Sequence, residues 1–383
     1  MTFRSCAQYA LMAILLVLAA CDDKNDTVNI GAIYNLTGGL SSLGIPSSEG
    51  AALAVDVLND RGGILDREVN LVLVDGETNV EVIPQKTQDL IDKTTNMPVI
   101  IGMTGTDSAL AAARVAAQNK RVFITSGATS PLLPSEVPEY LFLACYGDNV
   151  QAAAAAEWAI SDLKVGTAAV LYKSDMTYTK LIRKYFEEDF QEKGGKIVFS
   201  QGYTADTLAD VIAELPVADL IYFAASPDEV ISGITAIRAT GYEGPIASGD
   251  GFDIDENWDK LPTESNSFFT THADVSADNT NPEMIAFRKA FADKYPDEEP
   301  SAFSALAYDA VMLVAAAAEK AGSLDVNAMR DALSTLQDYK GLTGTISYEN
   351  GSRIPVKSVA LFKVQDGKEV FVREFMPDNV PAP

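Results

Sequence analysis

From residue 28 onward, short runs rich in Val, Ile, Leu and Phe alternate with longer stretches whose small and apolar residues recur at helical spacing, and this alternation constrains the fold more than any other feature. Such a rhythm builds mainly parallel sheets flanked by helices. The spacing predicts strands over 28–34, 69–74, 99–101 and 122–125, separated by helices over 47–60, 80–93 and 108–119. A second series follows, with helices over 149–163, 178–193, 207–215 and 228–240 and strands over 168–172, 196–200, 220–224 and 245–248. Two further helices are predicted at 282–295 and 301–321, and two hairpins at Asn350-Gly351 and Asp366-Gly367. Two β/α series in a chain of 383 residues imply two Rossmann-like α/β lobes, because one core seldom organises so much chain.

The N-terminus carries a different message. Residues 10–20 are almost purely apolar and follow a single cation, Arg4. Eleven residues rise only about 16 Å as a helix, roughly half a bilayer core. The segment therefore reads as an export signal over residues 1–20. Its end, Leu18-Ala19-Ala20-Cys21, resembles a bacterial lipobox, in which the chain is cut before the Cys and the thiol is acylated. Cys21 is the expected lipidation site, and residues 21–27 a tether to the membrane. The expected location is the periplasmic or extracellular face of a bacterial membrane, and Asp22, which resembles an inner-membrane retention signal, points to the inner one. No segment after the signal reads as long and apolar enough to span a bilayer.

Charge and rare residues exclude several functions. With 54 acidic against 29 basic residues the net charge is −25, which repels phosphates and argues against nucleic acid as a partner. Loss of Cys6 with the signal and acylation of Cys21 would leave Cys145 alone, so no internal disulfide is expected. The one histidine, His272, cannot assemble a Cys/His metal cluster. No cofactor is expected. Nucleophile-elbow, P-loop, Cys-x-x-Cys and dinucleotide fingerprints are all missing, which favours a binder over an enzyme. A calcium loop over Asp253, Asp255 and Asn257 fails because Trp258 stands where the loop needs Gly.

Ligands of open α/β sheets sit beyond the carboxyl ends of the strands, where helix N-termini present free amides and partial positive charge. Two loops fit. Met103-Thr104-Gly105-Thr106-Asp107-Ser108 joins a strand to a helix, and Ser126-Gly127-Ala128-Thr129 follows the next strand. Together their hydroxyls and amides can cradle a carboxylate, although simple helix capping would use the same residue types. Asp250, between Gly249 and Gly251 at the end of a second-series strand, offers an anion, although Asp-Gly is also an ordinary turn.

Leu36-Thr37-Gly38, Asn59-Asp60-Arg61-Gly62-Gly63-Ile64, Ile101-Gly102, Ser126-Gly127-Ala128-Thr129-Ser130-Pro131, Gly249-Asp250-Gly251 and Ala307-Tyr308-Asp309-Ala310 are each weak signals. In this order and spacing, over residues 28 to about 372, they resemble the periplasmic solute-binding proteins of branched-chain amino acid ABC transporters. The resemblance implies two lobes joined by a three-crossover hinge with the ligand cleft between them. It places residues 28–146 and 272–348 in lobe I, and 147–271 and 349–375 in lobe II. It assigns the ligand carboxylate to Thr106 and Thr129 with the Gly127 backbone, the ammonium to Asp250, and a covering aromatic to Tyr178. Side-chain pocket positions fall on Leu43, Ser226 and Phe303. The first two replace aromatics found in leucine-type proteins, so the main-chain recognition set is kept while the side-chain preference is not.

The function so implied is capture of a small amino acid by a monomer through hinge closure, the Thr106 and Thr129 lobe first and Asp250 and Tyr178 on closing. Delivery is then to an ABC permease and ATPase complex. Two alternatives stand beside it: a ligand-sensing receptor component, and a binder of small carboxylates that lack an amine.

Overall fold

The computed structural model describes residues 27–254, 258–261, 265–348 and 351–383. The export signal, Cys21, residues 21–26 of the tether, Asp255, Asn257 and Asn350 lie outside the described residues.

The first series runs β1 (Val28–Tyr34), α1 (Ser41–Asp60), β2 (Val69–Asp75), α2 (Ile83–Lys93), β3 (Val99–Gly102), α3 (Thr106–Gln118), β4 (Val122–Thr125), α4 (Leu133–Glu136) and β5 (Leu141–Leu143). Its five strands form one parallel sheet in the order β2-β1-β3-β4-β5. The chain then passes to α5 (Asp148–Ser161), β6 (Thr167–Lys173), α6 (Thr177–Glu192), β7 (Lys196–Tyr203), α7 (Leu208–Ala213), β8 (Leu220–Ala224), α8 (Val230–Ala239), β9 (Ile246–Ser248) and β10 (Ser267–Thr271). Helices α9 (Pro282–Lys294), α10 (Ala302–Ala321) and α11 (Val326–Ser334) follow, then a small hairpin of β11 (Tyr339–Gly341) and β12 (Gly344–Ile346), and finally β13 (Val359–Gln365) and β14 (Lys368–Phe375).

Strands β6 to β10 with β13 and β14 make the second sheet, in the order β14-β13-β10-β9-β8-β6-β7. Its first five strands in sequence are parallel, and the last two are antiparallel additions at one edge. The β13–β14 turn is the expected hairpin: Asp366 (φ 53°) and Gly367 (φ 71°) are both left-handed, as a two-residue turn of this twist requires. In the first sheet β1 lies between β2 and β3, and in the second β6 lies between β7 and β8. Strand order reverses at both, which is where crevices open in such sheets. The molecule thus has two lobes, each a helix-covered sheet around its own apolar core.

Helix α1 begins six residues before the predicted start. Pro46 lies inside it at the sixth position, where its missing N–H leaves the Ser42 carbonyl without its helical donor. Strands β5 and β10 and helix α11 lie outside the predicted elements, and all three are short, with three, five and nine residues. Helix α10 corrects another expectation, because by length and composition it could cross a membrane. It is instead a core helix, with 83% of its apolar window buried. Its ends are set by a Ser301–Ser304 capping box and by left-handed Gly322 (φ 60°).

Helices α1 and α10 cross at Gly50, where an added Cβ would lie 2.0 Å from the Ser304 carbonyl oxygen. Backbone cannot yield there as a side chain would. Gly50→Ala is therefore expected to destabilise the fold by about 1–3 kcal/mol despite the gain in helix propensity. The check is a lower urea midpoint with unchanged slope.

Between β12 and β13, buried Lys357 donates to the Ala144 carbonyl at 3.1 Å and to the Thr343 hydroxyl, near buried Asp309. Asp309 accepts from the amides of Leu342 (2.8 Å) and Thr343 (2.9 Å). This network pins the chain's last passage between sheets to the end of β5.

Candidate functional site

On the first lobe the site grows from the loops after β1, β3 and β4. Asn35, just past β1, donates to the Glu77 carbonyl (2.6 Å) and the Ser108 hydroxyl (3.2 Å), and accepts from Thr104 (3.3 Å). Thr125, at the end of β4, donates to the Met103 carbonyl (2.9 Å) and accepts from the Ala128 amide (3.0 Å). These bonds clamp the three loops into one surface. Gly127 is required by close packing, since a Cβ there would lie 2.8 Å from the Phe303 ring. Thr106 occupies the first turn of α3, where helix amides and dipole favour an anion. Its hydroxyl is buried and has no hydrogen-bond partner.

On the second lobe the centre is Asp250, 2% exposed in the turn after β9. Its Oδ1 accepts from the Gln151 amide (2.9 Å), and its Oδ2 lies 2.9 Å from His272 Nε2. Gln151 also accepts from the Asp250 amide (3.0 Å) and donates to Asp148 (3.1 Å), so one side chain joins both carboxyl groups. Burial lowers the His272 pKa, with Asp250 opposing. A neutral ring would place its proton on Nε2, toward the carboxylate, and the ring lies against Tyr146 at 4.3 Å between centroids. Burial, and then the Asp250 charge, push Asp148 up to about 8. Tyr178 accepts from the Gly251 amide at 3.0 Å, which fixes its ring beside Asp250.

The lobes meet over this surface. A small inner space of about 20 Å³ is lined from the first lobe by Leu40, Leu43, Thr104, Gly105, Gly127, Thr129 and Phe303, and from the second by Met176, Tyr178, Pro227, Asp250 and Gly251. An outer space of about 610 Å³ adjoins it across Leu40, Gly105, Met176 and Tyr178. The two sides are joined by Asp107, which accepts from the Thr177 amide (3.1 Å) and hydroxyl.

Of the residues singled out in the sequence, Leu43, Gly127, Thr129, Tyr178, Asp250 and Phe303 line the inner space together. Thr106 and Ser226 line the outer one. Ala128 faces the core, with its amide bound to Thr125 and its carbonyl accepting from Cys145 Sγ at 3.4 Å. Burial also pushes the Cys145 thiol pKa up. The residues that sequence reasoning missed are Asn35, Asp148, Gln151 and His272. Gln151 left one signal: it is the polar residue that opens an alanine run on a helix that turns out to be buried.

The periplasmic binding protein family matches residues 27–369. A Leu/Ile/Val-binding protein homolog of Brucella melitensis is 26% identical over 352 residues, covering 90% of this chain and 93% of that one. The crystal structure of the branched-chain amino acid transporter substrate-binding protein LivJ from Streptococcus pneumoniae, in complex with isoleucine, is similar with a TM-score of 0.84 and 26% identity over 92% of this chain and 100% of that one. A solute-binding protein of an ABC transporter from R. palustris, in complex with benzoate, shares the fold with a TM-score of 0.79 and 18% identity, covering 93% of this chain and 98% of that one. The two sheets with their reversed strand orders, the cleft between them and the match along nearly the whole chain agree, and the chain belongs to the periplasmic binding protein family.

Proposed function

We propose that this extracytoplasmic solute-binding protein captures an amino acid between its lobes and delivers it to an ABC permease and ATPase complex. One observation carries the reading. Thr104, Gly127 and Thr129 on one lobe line the same space as the Asp250 carboxylate on the other, a set that suits a ligand with a carboxylate at one end and an ammonium at the other. Thr106, at the α3 N-terminus, adds a further hydroxyl for the carboxylate end. The likeness to proteins named for leucine, isoleucine and valine supports the same class.

The inner space holds little more than a water-sized group, so entry requires the lobes to part. The hinge points we propose are the passages of the chain between the lobes, near residues 146–147, 271–272 and 348. Closing then brings Asp250 and Tyr178 onto a ligand already held by the first lobe. Acylated Cys21 and the tether after it would keep the protein, as a monomer, beside its permease.

A second reading has its own support. Both Asp250 oxygens are already engaged by Gln151 and His272, so the site could stand without an ammonium and take a small carboxylate. A thermal-shift panel of amino acids and their deaminated analogues separates the two, since a ligand at a hundredfold excess over Kd stabilises by about 2.7 kcal/mol. Stabilisation by amino acids alone supports the first reading. Stabilisation by the acids alone establishes the second.

A further inference from the structure

We propose that the amino acid this protein takes carries a positive charge on its side chain, an inference that rests on the amino-acid reading above. With the lobes as they stand, the inner space of about 20 Å³, lined in part by Leu43 and Phe303, has no room for a side chain the size of leucine. The wider room for a side chain lies past Leu40, Gly105, Met176 and Tyr178, in the outer space of about 610 Å³.

That space is acidic beyond the average of the chain. Five carboxylates line it, Glu77, Glu81, Asp107, Asp175 and Asp228, against one cation, Lys173. The whole sequence has 54 acidic to 29 basic residues, so a generally acidic surface does not account for five to one. The cation is also spent, because Lys173 is paired with Glu229. Glu77 is paired with Lys86, and Asp107 is held by Thr177. Glu81, Asp175 and Asp228 have no ion-pair partner among the described residues. Thr106, 4% exposed, lines the same space with a hydroxyl that has no hydrogen-bond partner among the described residues, so a ligand whose carboxylate it holds reaches into this space. These three residues are exposed and keep their hydration, so they add nothing for an apolar side chain, whereas an ammonium or guanidinium would be attracted by all of them.

Calorimetry of the purified protein with lysine, arginine, norleucine and leucine tests this. Norleucine keeps the lysine chain and lacks only its terminal ammonium. Lysine or arginine is expected to bind on the order of tenfold or more tighter than norleucine, and the difference should shrink in 0.5 M salt. In an Asp175→Asn/Asp228→Asn variant most of that difference should disappear while norleucine affinity stays unchanged, a readout that a misfolded variant cannot imitate. Norleucine or leucine binding as tightly as lysine would overturn the proposal and leave the amino-acid reading standing. Binding of deaminated acids with no amino acid bound would overturn both.

Discussion

Exchanging Asp250 for asparagine is expected to weaken an amino acid ligand by about 2 kcal/mol or more, roughly thirtyfold, while the protein stays folded. The surroundings dictate how the new side chain sits. Gln151 cannot turn over, because its oxygen holds the Asp250 amide while its nitrogen donates to the carboxylate. The asparagine oxygen must therefore face Gln151 and its amide nitrogen must face His272. His272 can accept that donor by moving its proton to Nδ1, which has no partner in the native protein. The groups that bond to Asp250 thus keep a partner, with the ring proton on an Nδ1 that has no hydrogen-bond partner among the described residues, and a ligand ammonium loses its counter-charge. Alanine at the same position would strand both Gln151 and His272 and mix stability with affinity. Calorimetry on the asparagine variant decides the matter, and unchanged affinity for an amino acid would remove Asp250 from the ligand site.

The second large effect concerns Asp148. Its pKa rises from 3.8 to about 8 on folding, first through burial and then through the Asp250 charge, with Thr129 and Gln151 opposing. A pKa raised on folding contributes stability that is fully present below the unfolded value and is lost as pH rises through the folded one. The sloping window for this group accordingly lies between about pH 4 and pH 8. At neutral pH the Asp148 carboxyl is mostly protonated in the native protein, and the unfolded chain is favoured by its ionisation. Asp148→Asn lacks this linkage. Denaturant unfolding at pH 5 and pH 9 is expected to show the variant gaining on the native protein by a few kcal/mol between the two values. Parallel stability curves would mean that Asp148 is ionised in the folded state.

Much of the architecture could be read from residue pattern because the long elements bury a continuous face. Apolar spacing located β1, β2, α6 and α10 within a few residues, and Asp-Gly located the last hairpin. What escaped was short or was decided by tertiary contact. Strand β5 has three residues and exists because β4 offers it an edge, and β10 is placed by pairing with β9 and β13. The site divided along the same line. Loop residues with a local chemical signature, such as Gly127, Thr129 and Asp250, were legible and do line one cavity. Gln151 and His272 lie 99 and 22 residues from Asp250 along the chain, and nothing local announces that they will meet it.

The passages of chain between the two sheets carry more than connectivity. Tyr146 and Asp148 bracket the first, His272 begins the second, and Lys357 lies in the third with its ammonium on the end of β5. Asp250 bonds directly to His272, and through Gln151 to Asp148. On the proposed hinge closure, any force that a solute exerts on this carboxylate would be transmitted within two bonded contacts to the fulcrum on which the lobes would turn. The molecule would then work as a lever grasped at its pivot, with displacements of a few tenths of an ångström at the carboxylate magnified toward the rim, where a permease would touch it.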